Sequence, residues 1–91
     1  MGATGFVTLD FGTGANEASA SFADTGVGAA SKVDAFFMSD TTADHTANDH
    51  RYAGLFIALS CEAQDGVGGV VYAHSTQKMT GTFKARWVWV D

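Results

Sequence analysis

Apolar and polar residues alternate along most of this chain with the two-residue period of a β-strand. Residues 6–11, FVTLDF, set Val7, Leu9 and Phe11 on one side and Phe6, Thr8 and Asp10 on the other, as in a strand with one face on a core. Residues 17–23, EASASFA, alternate Ala18, Ala20 and Phe22 against Ser19, Ser21 and Ala23. Residues 32–38, KVDAFFM, alternate Val33, Ala35 and Phe37 against Lys32, Asp34, Phe36 and Met38, so one side faces a core and the other is partly covered. In residues 81–90, GTFKARWVWV, Phe83, Ala85, Trp87 and Trp89 share one face, while Lys84 and Arg86 share the other with Val88 and Val90. The longest apolar run, Leu55 through Leu59, lies within residues 51–61. An unbroken run of that kind predicts a strand covered on both faces, about which the rest of the chain is arranged. Residues 70–75, VVYAHS, predict the strand that returns beside it.

The intervening stretches carry turn chemistry. Gly12, Gly14 and Asn16 supply positive-φ conformations, residues 24–31 are a second glycine-bearing connection, and Asp65-Gly66 with Gly68 and Gly69 fits a hairpin with a bulge. Residues 76–80 read as a short polar connection. Residues 41–50, TTADHTANDH, have no periodicity and read as a loop with one helical turn begun by Asp44 or Thr46 as cap. The sum is an all-β fold: a small antiparallel β-sandwich or flattened, jelly-roll-like barrel of about six to seven strands, with little or no helix, in a single domain. Its predicted core holds Val7, Leu9, Phe11, Leu55, Ile57, Leu59, Phe83, Trp87 and most of the strand around Val70 and Tyr72.

Composition narrows the function classes. The formal charge is −5 with only five Lys and Arg, so no basic stripe exists to neutralise phosphates, and nucleic acid is not expected as a partner. No apolar stretch approaches the ~18 residues of a membrane span, and the first residues lack a basic, apolar leader, so neither membrane nor export is expected. Charged residues make up 16% of the chain, well under the ~25% of ordinary soluble domains, which points to surface covered by other subunits. A chain of 91 residues buries only about 60–65% of its unfolded surface, which also favours assembly. Cys61, the only cysteine, ends the apolar run and reads as a buried, inert thiol.

Three groups of residues carry candidate chemistry. Asp44-His45 and Asp49-His50 repeat one dipeptide at a spacing of five and could ligate a divalent ion, though the spacing matches no established ligand pattern. The alternative has these Asp side chains and Asn48 bonding turns and Arg51 pairing with a carboxylate, to stiffen a loop or a subunit contact. His74-Ser75 contains residue types of a hydrolytic triad, but adjacent strand residues point to opposite faces, and His74 reads as a partly buried strand residue. Trp87, Trp89, Tyr52 and Tyr72 could together line a sugar-stacking surface, or serve a core or interface. No cofactor is called for. Interface candidates are Asp44, His45, Asp49, His50 and Arg51 in the polar loop, with Phe36, Met38, Val88 and Val90 on strand faces that a lone sandwich leaves exposed.

Residues 9–22 (LDFGTGANEASASF), 41–52 (TTADHTANDHRY) and 79–91 (MTGTFKARWVWVD), taken together, resemble a group of small proteins encoded among the virion genes of tailed bacteriophages. The resemblance covers nearly the whole chain. It implies a non-enzymatic structural protein of the virion, made in the host bacterial cytoplasm: a multicopy capsid decoration (cement) protein, or else a tail or tail-fibre component. Its implied partners are other copies of itself and the major capsid or tail proteins. A carbohydrate or host-surface binding module is the competing reading from another class.

Overall fold

Strands that are apolar on one face must bury that face against another layer. In the computed structural model, which describes residues 2–90, six strands and one short helix do this in the order β1 (Gly2–Asp10), β2 (Ala15–Ala23), β3 (Lys32–Phe36), α1 (Ala47–Ala53), β4 (Ile57–Gln64), β5 (Gly68–Met79) and β6 (Thr82–Val90). They form two three-stranded antiparallel sheets, ordered β1-β6-β3 and β2-β5-β4. The all-β sandwich expected from the period-2 pattern is the fold.

The core lies between the sheets and is built from the alternation seen in the sequence. Val7, Leu9 and Phe11 from the β1 side meet Phe83, Ala85, Trp87 and Trp89 of β6, and opposite them lie Phe22 of β2, Val71 and Ala73 of β5 and Ile57 of β4. One contact ties the two sheets face to face: the Trp87 ring stacks on Phe22 with centroids 3.9 Å apart and planes inclined by 8°. Glycines make room for both rings. A Cβ at Gly5 would stand 2.6 Å from Cζ2 of Trp87, and one at Gly69 would stand 2.7 Å from Cζ of Phe22. Each ring therefore lies over bare backbone on the side away from its partner.

Several expectations are corrected. The apolar run at 51–61 is not one strand, because α1 takes Arg51, Tyr52 and Ala53, Gly54 caps the helix, and Leu55 and Phe56 fall in the turn before β4. Leu55, expected in the core, is 73% exposed, and Leu59 is only partly buried. The physical reason lies in Thr46 and Asp49, whose reciprocal capping bonds nucleate two turns of helix where one was expected. β4 is consequently an edge strand, and the central strands are β5 and β6. Of Val70, Val71 and Tyr72, only Val71 is buried, and Tyr72 is exposed on the outer face. β5 also runs on through residues 76–79, which the sequence reads as a connection. His74 points outward and is exposed, whereas Ser75 beside it is buried, the divergence expected of strand neighbours. Cys61 is half-buried, with its thiol pushed up by burial and then by the charge of Asp34, which leaves little reactive thiolate.

The two tryptophans are buried alike but bonded differently. Nε1 of Trp89 donates to Oδ2 of Asp24 at 2.8 Å, while Nε1 of Trp87 is buried with no acceptor among the described residues. Trp89→Phe removes a made bond, whereas Trp87→Phe removes an unsatisfied donor and keeps an aromatic ring on Phe22. Trp89→Phe should therefore cost roughly 1 kcal/mol more than Trp87→Phe in urea unfolding, and the reverse ranking would overturn this bonding assignment.

Candidate functional site

β3 stops at Phe36, opposite Arg86, although β6 continues back to Thr82. The backbone groups of β6 at even positions face the β3 side there and have no strand to bond. Residues 41–50 fill the gap with side chains. The Thr82 N–H donates to Oδ2 of Asp44 at 2.9 Å, and the Thr82 hydroxyl donates to the same oxygen at 2.8 Å. The Thr42 hydroxyl donates to the Thr82 carbonyl at 2.7 Å and itself accepts from the N–H groups of Asp44 and His45. The Lys84 N–H donates to Nε2 of His50 at 2.9 Å. His45 Nε2 lies 2.6 Å from the Thr80 carbonyl, to which it donates. The Asp/His segment thus completes the sheet edge that a longer β3 would have completed.

The two histidines hold this edge against one ring. Phe83 is stacked by His45 at a centroid distance of 3.9 Å and contacted by His50 at 5.3 Å. His50 is fully buried. Because its Nε2 accepts from Lys84, the proton sits on Nδ1, which donates to the Thr46 carbonyl at 2.9 Å. His45 instead presents both nitrogens to acceptors, since its Nδ1 lies 3.2 Å from Oδ2 of Asp49. Asp49 also accepts the Thr46 N–H in the capping box of α1. Gly81 turns the chain with φ of 76° where it crosses from β5 to β6 in the other sheet, and a Cβ there would come within 2.7 Å of Asp44 Cβ, so this crossing and the loop fit only without a side chain at that point.

The candidate ligands are thereby accounted for one by one. Asp44 is held by Thr82, Asp49 by Thr46 and His45, and both His50 nitrogens by backbone groups. Among the described residues, no three His, Cys, Asp or Glu side chains gather where they could hold a metal ion. Asp44, His45, Asp49 and His50 all make internal contacts; His50 is buried, while Asp44 and Asp49 stay exposed and His45 and Asp49 line a surface depression beside Phe56. Arg51 does not pair with an acid among the described residues; its guanidinium lies 5.8 Å from the centroid of the Tyr52 ring. The guanidinium–carboxylate pair is elsewhere, with Arg86 donating to both oxygens of Asp40 at 2.7 and 3.0 Å. That pair closes the same edge from the outer face, where Asp40 follows β3.

What the molecule offers to other molecules is its outer surface. Phe36, Met38 and Val90 are exposed as expected, with Val88 half-buried between them. Phe6 joins them on the outer face of β1-β6-β3, with the Lys84 ammonium 5.0 Å and the Arg86 guanidinium 5.5 Å from its ring centroid. A second apolar site escaped the sequence reading: Tyr52, Leu55 and Phe56 stand exposed at the α1–β4 corner beside a depression of about 240 Å³ floored by Ala53, Met79 and Phe83. The signal for it was the capping box, which shows that the run at 55–56 leaves a helix and does not continue a strand. The four-aromatic sugar surface does not form, since Trp87 and Trp89 are buried and Tyr52 and Tyr72 lie apart, one on α1 and the other on the outer face of β5. Tyr72 borders an open depression of about 440 Å³ with Glu17, Ser19 and His74.

Comparisons with known protein families, with curated proteins and with solved structures find no match to this chain. What the fold defines is the class: a small all-β protein of two three-stranded sheets, closed at one end by an Asp/His side-chain clamp.

Two tests follow from the clamp. His50→Ala orphans the Lys84 N–H and opens a cavity beside Phe83, and should destabilise the protein by roughly 2–4 kcal/mol in denaturant unfolding. The second concerns acid. The Thr82 hydroxyl and N–H hold Asp44 below the ordinary Asp value of 3.8, the Thr46 N–H and then His45 do so for Asp49, Arg86 for Asp40, and Trp89 and then the Gly26 N–H for Asp24. With all four lowered in the folded state, the unfolded chain binds protons first. Their stabilisation is therefore fully present above the ordinary Asp value and is lost as pH falls through the lower folded values. Urea midpoints measured from pH 7 to pH 2 should hold and then drop below about pH 4, with a shallower drop in Asp44→Asn.

Proposed function

We propose that this chain is a non-enzymatic structural protein of a bacteriophage virion, present in many copies as a capsid decoration protein that stabilises the head through protein–protein contacts. The observation that carries this reading is the surface: Phe6, Phe36, Met38, Tyr52, Leu55, Phe56 and Val90 are all exposed on a chain with 16% charged residues. Apolar side chains grouped in this way mark contact surfaces, and a small sandwich gains stability when neighbours cover them. The sequence resemblance supports the same role. Its segments 41–52 and 79–91 supply both sides of the clamp at Thr82 and Lys84, so the resembling residues are ones that hold a scaffold together. The working location is the virion, after synthesis in the bacterial cytoplasm, and the partners are further copies of the chain and the major capsid protein.

A tail component would share the fold and differ in copy number. Quantitative mass spectrometry of purified virions decides this: hundreds of copies per particle are expected for decoration, and a handful would transfer the protein to the tail. Absence from purified particles would overturn the proposal.

A further inference from the structure

Each three-stranded sheet has two outer strands, and every second backbone N–H and C=O of an outer strand points away from its one neighbour. Along β6 the even positions turn toward β3 and the loop that replaces it, as the N–H bonds of Thr82 and Lys84 show, so the odd positions bond β1. Phe83 is opposite Leu9, Ala85 opposite Val7 and Trp87 opposite Gly5. Thr4, Phe6 and Thr8 therefore direct their backbone groups out of the sheet edge, where those groups have no hydrogen-bond partner among the described residues.

The other three edges carry features that keep a further strand off. β3 is five residues long, and Oδ1 of Asp34 accepts its Ala35 N–H at 2.8 Å. The charge of Asp34 also acts on the Cys61 thiol of β4, so one acid guards both edges on that side of the sandwich. β2 is irregular between Ala15 and Glu17, with a carboxylate at the irregularity. β1 has none of these: it runs nine residues in unbroken register, and its one charged residue, Asp10, stands at its end. Gly2, Ala3, Thr4 and Phe6 are exposed along it.

We propose that β1 pairs antiparallel with β1 of a second copy about a two-fold axis at Phe6, joining the two β1-β6-β3 sheets into one. A row of alternating free donors and acceptors is satisfied by an extended backbone, which fixes the kind of occupant. The sequence of β1 then suits its own copy. With Phe6 opposite the second copy's Phe6, Thr4 faces Thr8, Thr8 faces Thr4 and Asp10 faces Gly2. The unbonded backbone groups of Thr4, Phe6 and Thr8 fall opposite one another, as the hydrogen-bonded pairs of an antiparallel ladder require. Threonine pairs and an aromatic pair are favourable cross-strand neighbours, and no like charges meet at the seam, although the chain carries a formal charge of −5. On the outer face the cross-strand row Phe36, Arg86 and Phe6 continues into Phe6, Arg86 and Phe36 of the second copy, so the exposed Phe6 rings cover each other in part. The contact uses the same patch on both molecules and closes at a dimer.

The test is sedimentation of the purified protein over a concentration series, in reductant so that Cys61 cannot cross-link copies, with circular dichroism confirming that each variant folds. Wild type should show a monomer–dimer equilibrium. Thr8→Pro deletes an N–H that the single molecule does not use, so it should keep the fold and weaken dimerisation by roughly tenfold or more. A second pair of variants tests the register through side chains on the outer face. Thr4→Lys with Thr8→Lys sets ammonium against ammonium at both threonine pairs and should weaken the dimer likewise, as should Thr4→Glu with Thr8→Glu. Mixing the lysine and glutamate variants should restore a dimer containing one of each. If Thr8→Pro does not fold, the lysine and glutamate variants decide alone. A wild type that stays monomeric at millimolar concentration overturns the proposal, and so does a folded variant that dimerises like wild type or a mixture that stays monomeric. Copy number per virion is measured separately, so this dimer can fail while the virion reading stands.

Discussion

The structure depends on how the early end of β3 is dealt with. An antiparallel sheet leaves every second backbone group of a strand facing each neighbour, and a neighbour that stops short strands those groups at the edge of the core. Here β3 ends at Phe36, while β6 must continue to Thr82 in order to bury Phe83. Phe83 is among the most deeply buried side chains and is met by Phe11, Phe37, His45 and His50. The backbone beside it cannot be left to water without opening the core. Asp44, Thr42, His45 and His50 supply the missing acceptors and donors, and the helix that carries His50 closes the end of the sandwich.

That role explains the residue types. Asp offers two acceptor oxygens on a short stem and can bond a backbone N–H and a hydroxyl together, as Asp44 does with Thr82. Neutral His is the side chain that combines one ring acceptor and one ring donor with an apolar body. His50 uses the acceptor on Lys84, the donor on Thr46 and the body against Phe83. A Gln in its place could bond both backbone groups but would lack the ring face. The duplicated Asp-His dipeptide therefore looks like a ligand pair in the sequence and is a pair of edge clamps in the fold. Its spacing of five places His45 before the helix and His50 within it, so that the two rings reach Phe83 from different directions.

With the end closed internally, the chemistry left for other molecules lies on the broad faces, along the free edge of β1 and at the α1–β4 corner. The core and the surface are separated strictly by strand parity: along β6, Phe83, Ala85, Trp87 and Trp89 are buried, while Lys84, Arg86, Val88 and Val90 face outward. Apolar residues at outward positions do not serve the core of this molecule. Their grouping on one sheet face, where Lys32, Lys84 and Arg86 stand among Asp10 and Asp34, is the apolar surface on which the proposed assembly rests.

Period-2 alternation by itself determined the all-β class, most of the strands and the inward set Val7, Leu9, Phe11, Phe83 and Trp87. In these segments local pattern and final burial obey one rule, that neighbouring residues point to opposite faces. It also determined that Phe36 and Val90 point outward. Within residues 41–61 two local signals competed, the apolar run and the Thr46/Asp49 capping box. An apolar run is compatible with a buried strand or with the end of a helix, and the capping bonds between Thr46 and Asp49 chose the helix, which expelled Leu55 from the core. Only the fold could bring Asp44 to Thr82 and His50 to Lys84, residues more than thirty positions apart, because that contact depends on β3 ending before β6 does. Where a strand stops relative to a distant partner is a property of the sheet register, and no local pattern encodes it.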